Sequence, residues 1–218
     1  MTLREKPPTG RRERNKQRVK ERLYTAAVEL FVEKGYDHTS IDEIAERADV
    51  ARGTFFNYFQ RKEDIIGAWG EQRRARLVRE LEADDIGATT GAIAQLRHSM
   101  AVLIDVNQQE PQLTTAMLTA WVKAGRPILE EPYVAQVFAD IVDRGMALGE
   151  LAPGTSSLTA GNVLRDVYLG ALYRWAHRSP GTAGALAEEL QQILRLLLDG
   201  MATTNAPDAR AAGHAPTQ

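Results

Sequence analysis

The sequence contains no cysteine among its 218 residues. A disulfide framework, a thiol nucleophile, a cysteine-ligated zinc finger and an iron–sulfur cluster are therefore all excluded. A chain without cysteine suits a reducing compartment, and we expect it to act in the cytoplasm.

Long apolar runs are missing as well. The run AVLI, residues 101–104, is far shorter than the roughly 20 residues that a helix needs to span a bilayer. The N-terminus is basic but lacks the apolar core of a signal peptide. The sequence therefore predicts neither a membrane span nor export.

Motifs for catalysis are also missing. The histidines His38, His98, His177 and His214 are scattered, and none has an acidic residue three positions before it, as the helical di-iron sites require. The chain has no G-x-S-x-G, H-E-x-x-H, Walker loop or G-x-G-x-x-G pattern. We predict no catalytic residue, no metal site and no cofactor.

The formal net charge of −2 conceals a basic N-terminus attached to an acidic body. Residues 1–22 carry nine Lys or Arg against three Glu, whereas residues 63–218 carry 13 basic and 19 acidic side chains. This polarity suits an N-terminal region that meets a polyanion, although a solvated basic tail would have the same composition.

Apolar residues recur at helical spacing along most of the chain, without an alternating strand pattern of useful length. The sequence predicts an all-α fold with a disordered basic arm at residues 1–14 and a disordered tail at residues 203–218. Glycine, proline and polar clusters divide the rest into helices. These are predicted at about residues 16–34, 41–48, 52–58, 62–81, 90–106, 111–124, 132–148, 156–177 and 182–201.

Four aromatic residues occur within five positions of the stretch VARGTFFNYFQRKEDII, residues 50–66. On a helix, Phe55 and Phe59 share one face, and Gly53, Thr54 and Asn57 fall on the opposite side. Packing on the first two helices explains the phenylalanine face, and without a metal ligand or phosphate loop nearby a cofactor site is disfavoured. Because glycine in a helix costs about 1 kcal/mol relative to alanine, Gly53 indicates a close neighbour such as a nucleic-acid backbone.

Two short helices joined by a tight turn match a helix-turn-helix, whose second helix enters the major groove of DNA. Ser40 and Glu43 have the spacing of a capping box at the start of the first of these helices. Arg52 is placed to bond guanine in the bidentate manner. Thr39 and Lys62 flank the motif where phosphates would lie.

The stretch from Ala26 to Ile66 closely resembles the DNA-binding domain of the tetracycline-repressor (TetR) family, because LF, KGY, TS, IA, GTF, NYF and KE occur in order at the family's spacing. The resemblance implies a three-helix DNA-binding domain at residues 15–62, with its motif at about 40–59, and a larger helical domain at residues 63–202. That second domain usually binds a small molecule and dimerises through its last two helices. Carried onto matching positions, the DNA contacts become Thr39, Arg52, Gly53, Thr54, Phe56, Asn57, Tyr58 and Lys62.

Three features depart from the family's pattern. Phe56 often has a tyrosine counterpart, so a phosphate-bonding hydroxyl is absent, although its ring suits a thymine methyl or a sugar. The turn has Asp49 where glycine is common and Ala51 where serine or threonine is common, so the third helix lacks a cap worth about 1 kcal/mol. Gln60 and Arg61 replace a usual Pro-Ser, and Arg61 offers a further cation to a phosphate.

Apolar residues form two stripes on the predicted helix at residues 156–177 and one matching face on its successor at residues 182–201. A helix that is apolar on two sides is buried on two sides, so this pair would pack either in a four-helix interface with a second subunit or within one chain. Earlier in the same domain, bulky and adaptable side chains would line a pocket or simply fill the core. The pocket candidates are Met100, Leu103, Met117, Trp121 and Phe138.

We therefore expect a homodimeric transcriptional repressor that a small-molecule effector releases from a palindromic operator in double-stranded DNA. Its recognition helices would occupy successive major grooves, roughly 34–36 Å apart, and the protein would associate with the nucleoid when bound. Two other hypotheses stay open. One is a DNA-binding regulator without effector response, an activator or an architectural protein, and the other is a ligand-binding protein or enzyme whose helix-turn-helix is only structural.

Overall fold

A computed structural model describes residues 10–83, 91–125, 133–154, 156–178 and 185–199, and within these ranges all regular structure is helical. The helices are α1 (Arg11–Lys34), α2 (Ile41–Arg47), α3 (Arg52–Phe55), α4 (Asp64–Ala83), α5 (Gly91–Gln108), α6 (Pro111–Lys123), α7 (Tyr133–Ala147), α8 (Ser157–Ala176) and α9 (Ala185–Asp199). The predicted all-α class is confirmed. None of the described helices combines the length and the apolar character needed to cross a membrane. The disorder predicted for residues 1–9 and 203–218 lies outside the described residues.

Helices α1, α2 and α3 share one small core. Leu23, Ala27 and Phe31 recur every four residues along α1, and all three are buried in one cluster with Ile44 of α2 and Phe55 of α3. Burial of a leucine, isoleucine or phenylalanine side chain contributes about 1.5–3 kcal/mol. The apolar stripe of α1 therefore holds two helices that are too short to be stable alone.

Two boundaries within the first three helices differ from the predicted ones by at least three residues. The first helix, α1, begins at Arg11, so residues 11–14, which we assigned to a disordered arm, are helical. Its N-cap makes no side-chain hydrogen bond, and its first turn is rich in arginine, which opposes the helix dipole. The regular part of α3 ends at Phe55, and residues 56–58 continue as tight turns in which Tyr58 N donates to Phe55 O.

Helices α4 to α9 form the second, larger bundle. The connecting helix α4 packs on α5, α6 and α7, and α7 and α8 lie closely along each other. A Cβ at Gly161 of α8 would overlap the carbonyl oxygen of Ala135 on α7, so the observed separation of these helices requires glycine. On the other side, α1 packs on α6, and an ion pair joins Asp37, in the loop after α1, to Lys123 at the end of α6. The two bundles therefore meet along α1, α4 and α6.

Candidate nucleic-acid interface and ligand cavity

A reciprocal cap fixes the N-terminus of α2. Ser40 Oγ accepts a hydrogen bond from Glu43 N at 3.2 Å, and a carboxylate oxygen of Glu43 accepts one from Ser40 N at 2.9 Å. Lys34 pairs with this carboxylate and, together with the cap, lowers the pKa of Glu43 to about 2. The predicted capping box is confirmed, and it sets the residue at which the motif begins.

The turn between α2 and α3 needs a left-handed backbone at Asp49. Its φ is 51°, the one positive value outside glycine among the described residues, which explains why a glycine suits this position. Arg22 of α1 donates to Asp49 O at 2.8 Å and to the Asp49 carboxylate at 3.3 Å. Ala51 is the N-cap of α3 and makes no side-chain bond, as predicted. The turn is thus held by α1 rather than by a cap of its own.

The segment from Arg52 to Phe59, named here the α3 segment, has two dissimilar faces. Phe55 and Phe59 are 0% and 4% exposed, with ring centroids 5.7 Å apart, and they anchor the segment in the N-terminal core. Phe56, Gly53 and Asn57 are exposed. A Cβ at Gly53 would meet no atom within 4 Å, so nothing in the described chain requires glycine there. The position therefore has open space into which a partner could approach the backbone closely.

Three further predicted contact residues lie along the exposed face of the α3 segment. Thr54 and Tyr58 are half-buried at its edges. The Arg52 side chain is 61% exposed, and its Nη1 donates to both carboxylate oxygens of Asp42 at 2.8 and 2.9 Å. An ion pair this exposed contributes about 0–1 kcal/mol. Arg52 can therefore leave Asp42 for a base edge with little loss of stability.

Thr39 and Lys62 brace the loop between α1 and α2. We predicted a direct phosphate contact for Thr39, but its side chain is buried and its hydroxyl donates to Gly35 O at 2.8 Å. The Lys62 ammonium donates to Tyr36 O at 2.6 Å and to Thr39 O at 2.9 Å, and burial lowers its pKa. An ammonium has three N–H donors, so Lys62 has one N–H beyond the two used in these bonds.

Asp64 connects the α3 segment to α4. One of its carboxylate oxygens accepts hydrogen bonds from Gln60 N at 2.8 Å and from Arg61 N at 3.0 Å. The same carboxylate lies at the first residue of α4, where a negative charge is favoured by the helix dipole. Any movement of the start of α4 therefore acts directly on the end of the α3 segment.

A cavity of about 850 Å³ lies between the two bundles. Helix α4 contributes Ile66, Trp69 and Arg73 to its wall, residues of α5, α6 and α8 line it from the larger bundle, and it extends to Tyr58 and Phe59 of the α3 segment. Ligand pockets typically have volumes of roughly 300–1,000 Å³ and mostly apolar walls with a few polar groups. The cavity thus links the α3 segment to the interior of the second bundle.

The predicted pocket residues divide between the cavity wall and the core. Leu103 and Trp121 line the cavity. Met100, Met117 and Phe138 are at most 1% exposed and lie in the packed core, away from the cavity wall. Sequence spacing did not separate these outcomes because a pocket wall and a packed core favour the same side chains.

The sequence prediction missed Trp69, Arg73 and Tyr168, all of which line the cavity. A signal was present in α4, where Arg73 lies on the same buried stripe as Ile65, Trp69 and Leu77. A charged side chain on a buried helix face requires polar partners. Its position on the stripe therefore indicated a polar site inside the bundle.

Arg73 belongs to a buried polar network that joins four helices. Its Nε donates to Asn107 Oδ1 at 3.1 Å, Asn107 Nδ2 donates to the Tyr168 hydroxyl at 2.8 Å, and Thr114 Oγ1 donates to Asn107 O at 3.1 Å. Burial lowers the pKa of Arg73 and raises the pKa of Tyr168 to about 12. The network ties α4 to α5, α6 and α8, so a shift of Arg73 alters contacts with three helices.

A capped helix, a tight turn and a second helix with an exposed small and polar face define a helix-turn-helix DNA-binding protein. Residues 23–68 match the bacterial regulatory proteins of the tetR family, and residues 90–197 match the tetracyclin repressor-like C-terminal domain. The chain belongs to the tetR family, whose members regulate transcription and are not enzymes.

Relatives extend over most of the chain. It is 30% identical over 185 residues to the HTH-type transcriptional repressor KstR of Rhodococcus jostii, covering 82% of both chains. The identity to KstR of Mycolicibacterium smegmatis is 29% over 196 residues, covering 87% of this chain and 89% of the relative. The function defined by these relationships is transcriptional repression through the helix-turn-helix.

Two solved structures resemble this fold. Thermus thermophilus FadR, a TetR family transcriptional repressor in complex with lauroyl-CoA, is 34% identical with a TM-score of 0.71, covering 87% of this chain and 98% of that one. Bacillus subtilis FadR, in complex with stearoyl-CoA, is 21% identical with a TM-score of 0.67, covering 84% and 99%. The second similarity concerns the fold alone.

Proposed function

We propose that the protein is a homodimeric repressor that binds a palindromic operator and is released from it by a long-chain acyl-CoA thioester. The observation that carries this proposal is the cavity of about 850 Å³. It extends from the α3 segment into the larger bundle, and helix α4 forms part of its wall over that distance. A similar repressor from Thermus thermophilus binds lauroyl-CoA, which supports this class of effector.

The lining of the cavity suits a ligand with an apolar chain and a polar head. Leu118, Leu169 and Leu172 provide apolar wall that would contact the acyl chain. Lys20 also belongs to the wall and is exposed to solvent, so it marks an opening. The phosphates of coenzyme A would stay near Lys20, where water still solvates them.

On the DNA side, the exposed face of the α3 segment would read bases and its surroundings would bind the backbone. Asn57 and Arg52 supply the hydrogen-bonding groups for base edges, and Gly53 lets the segment approach closely. Thr39 would act by holding the loop that Lys62 braces, and Lys62 would contact a phosphate. The proposed set is Thr39, Arg52, Gly53, Thr54, Phe56, Asn57, Tyr58 and Lys62.

Dimerisation through α8 and α9 would cover apolar side chains that one chain leaves exposed. On α8, Leu158 is 53% exposed, and on α9, Leu196 and Leu197 are 51% and 41% exposed. Burying such side chains at an interface contributes favourably by up to about 1.5–3 kcal/mol each. Two helices from each subunit would then pack as a four-helix bundle.

The effector proposal is tested with an operator selected from a random pool of duplex DNA by the protein itself. Fluorescence anisotropy then measures operator affinity with lauroyl-CoA, free coenzyme A or laurate added. Release by lauroyl-CoA alone supports the proposal. Specific binding that none of the three compounds weakens would instead favour a regulator without response to this class of effector.

The dimer proposal is tested by placing charge on the exposed face of α9. The double variant Leu196→Glu, Leu197→Glu should be monomeric by light scattering and should lose operator affinity, because a palindrome binds two linked subunits. Gln191→Glu adds a charge at an exposed position on a different face of the same helix and is the matched control. If the double variant is still a dimer, the interface lies elsewhere on the protein.

A further inference from the structure

Trp69 has a buried donor that the described chain does not use. The side chain is 3% exposed and lines the cavity, yet its indole Nε1–H has no hydrogen-bond partner among the described residues. A buried donor without a partner costs about 1–3 kcal/mol, and most buried polar groups are satisfied for that reason. A ligand acceptor would remove this cost.

Arg73 stacks on the face of the Trp69 ring. Its guanidinium carbon lies 4.0 Å from the centre of the Trp69 ring, and the residue is 8% exposed on the cavity wall. Beyond the bond from Nε to Asn107, its Nη2 lies 3.5 Å from both Thr114 Oγ1 and the Glu110 carboxylate. These two contacts are longer than the bond to Asn107, so Nη2 of Arg73 is held less tightly than its Nε.

Another arginine on the cavity wall provides a comparison. Arg165 is buried to the same degree, but its Nε lies 2.7 Å from an Asp166 carboxylate oxygen and its Nη1 lies 3.0 Å from Asn162 Oδ1. Arg165 is therefore neutralised and bonded at short distance. Among the described residues, the carboxylate paired with Arg73 is the more distant Glu110, whose side chain is 58% exposed.

We propose that the indole N–H of Trp69 and the guanidinium of Arg73 form a donor pair that binds an acceptor oxygen of the effector. The inference rests on the proposed effector class, and for an acyl-CoA the acceptor is the thioester carbonyl oxygen. The same donors would also bind the carboxylate of a free fatty acid, a second kind of ligand with an acceptor oxygen at the end of an apolar chain.

A carbonyl or a single carboxylate fits these donors better than the phosphates of coenzyme A. Phosphates carry several charges, and burying them against the single guanidinium of Arg73 would leave charge uncompensated. A carbonyl accepts two hydrogen bonds without adding charge. The donor pair therefore places the junction between acyl chain and coenzyme A beside α4.

The test compares ligands that differ at this junction on the full-length protein. Lauroyl-CoA is compared with S-dodecyl-CoA, a thioether with a methylene in place of the carbonyl, and with laurate. Calorimetry should show the thioether binding roughly 10- to 100-fold more weakly than lauroyl-CoA, the loss expected for hydrogen bonds to a charged group. The indole ¹⁵N–H signal of Trp69, assigned by its loss in Trp69→Phe, should shift with lauroyl-CoA and not with the thioether.

Variants assign the preference to the donor pair. Trp69→Phe and Arg73→Lys should each weaken the binding of lauroyl-CoA more than the binding of the thioether. The control Trp175→Phe removes an indole that does not line the cavity, and it should leave the ratio of the two affinities unchanged. Operator binding without ligand verifies that each variant is folded. Because the ligand comparison uses the unaltered protein, an unfolded variant does not decide the outcome.

The outcomes separate this inference from the proposed function. Equal affinities for the thioester and the thioether, with no shift of the Trp69 signal, overturn the donor pair and leave an acyl-CoA effector standing. Binding of laurate alone, with dependence on Trp69, supports the donor pair and overturns the acyl-CoA effector. Failure of all three ligands to bind overturns both.

Discussion

Replacing Gly53 by alanine should separate the stability of the protein from its affinity for DNA. Gly53 lies within α3, and an added Cβ would meet no atom within 4 Å. Alanine is favoured over glycine in a helix by about 0.5–1 kcal/mol. We expect the free variant to unfold at a temperature roughly 1–4 °C higher, the rise that this energy gives for a chain of this size.

The affinity for the operator should change in the opposite direction. If the DNA backbone lies against Gly53, a methyl group overpacks the contact, and overpacking costs typically about 1–3 kcal/mol. The dissociation constant should therefore rise roughly 5- to 150-fold. Fluorescence anisotropy on the selected operator measures this change, and circular dichroism on the same samples measures the unfolding temperature.

The matched control is the same substitution at a second helical glycine. Gly161→Ala introduces a Cβ that overlaps Ala135 O, so it should destabilise the protein by about 1–3 kcal/mol. A variant Gly53→Ala that unfolds earlier, as Gly161→Ala should, would show that an internal contact requires Gly53. Higher stability with unchanged operator affinity would show that DNA does not approach Gly53.

Three further predictions concern the DNA-binding domain. Ala51→Ser should supply the missing N-cap of α3 and stabilise the protein by about 1 kcal/mol in urea unfolding. The pKa of Glu43 is depressed to about 2, so the stability from its contacts with Lys34 and Ser40 is present above its ordinary pKa and lost as the pH falls toward 2. Glu43→Gln should flatten this part of the acid-unfolding curve. Neutralising Arg14 and Arg18, in the exposed first turns of α1, should make operator affinity less dependent on salt. The slope of the logarithm of the binding constant against the logarithm of the salt concentration should fall by about 1 for each phosphate that these arginines contact. An unchanged slope would mean that these turns are solvated in the complex.

Local features of the DNA-binding domain could be predicted because they depend on residues close in sequence. The cap of α2 follows from Ser40 and Glu43 three positions apart, and the anchor face of the α3 segment follows from Phe55 and Phe59 four positions apart. The start of α1 could not be found in this way. Its apolar period begins only at Val19, and arginines in the first turn are unfavourable for a helix.

The cavity could not be predicted because it depends on the packing of distant helices. A cavity is a space that the side chains of several helices fail to fill, and no spacing within one helix specifies such a space. Bulky apolar residues suit a cavity wall as well as a core. For this reason Leu103, which lines the cavity, and Met117, which lies in the core, were both predicted as pocket residues. Arg73 was the better signal, since a charge on a buried stripe has few structural explanations.

An effector response needs a connection between the cavity wall and the DNA-binding domain, and helices α4 and α6 each provide one. A hundredfold release of DNA requires about 2.7 kcal/mol of coupling. On α6, the pair of Lys123 with Asp37 has both side chains 49% exposed and so contributes only about 0–1 kcal/mol. On α4, the cavity residue Arg73 lies on the same helix as Asp64, which holds the end of the α3 segment. Asp37→Asn should therefore leave most of the release by lauroyl-CoA intact in the anisotropy assay, and loss of the response in this variant would assign the coupling to α6.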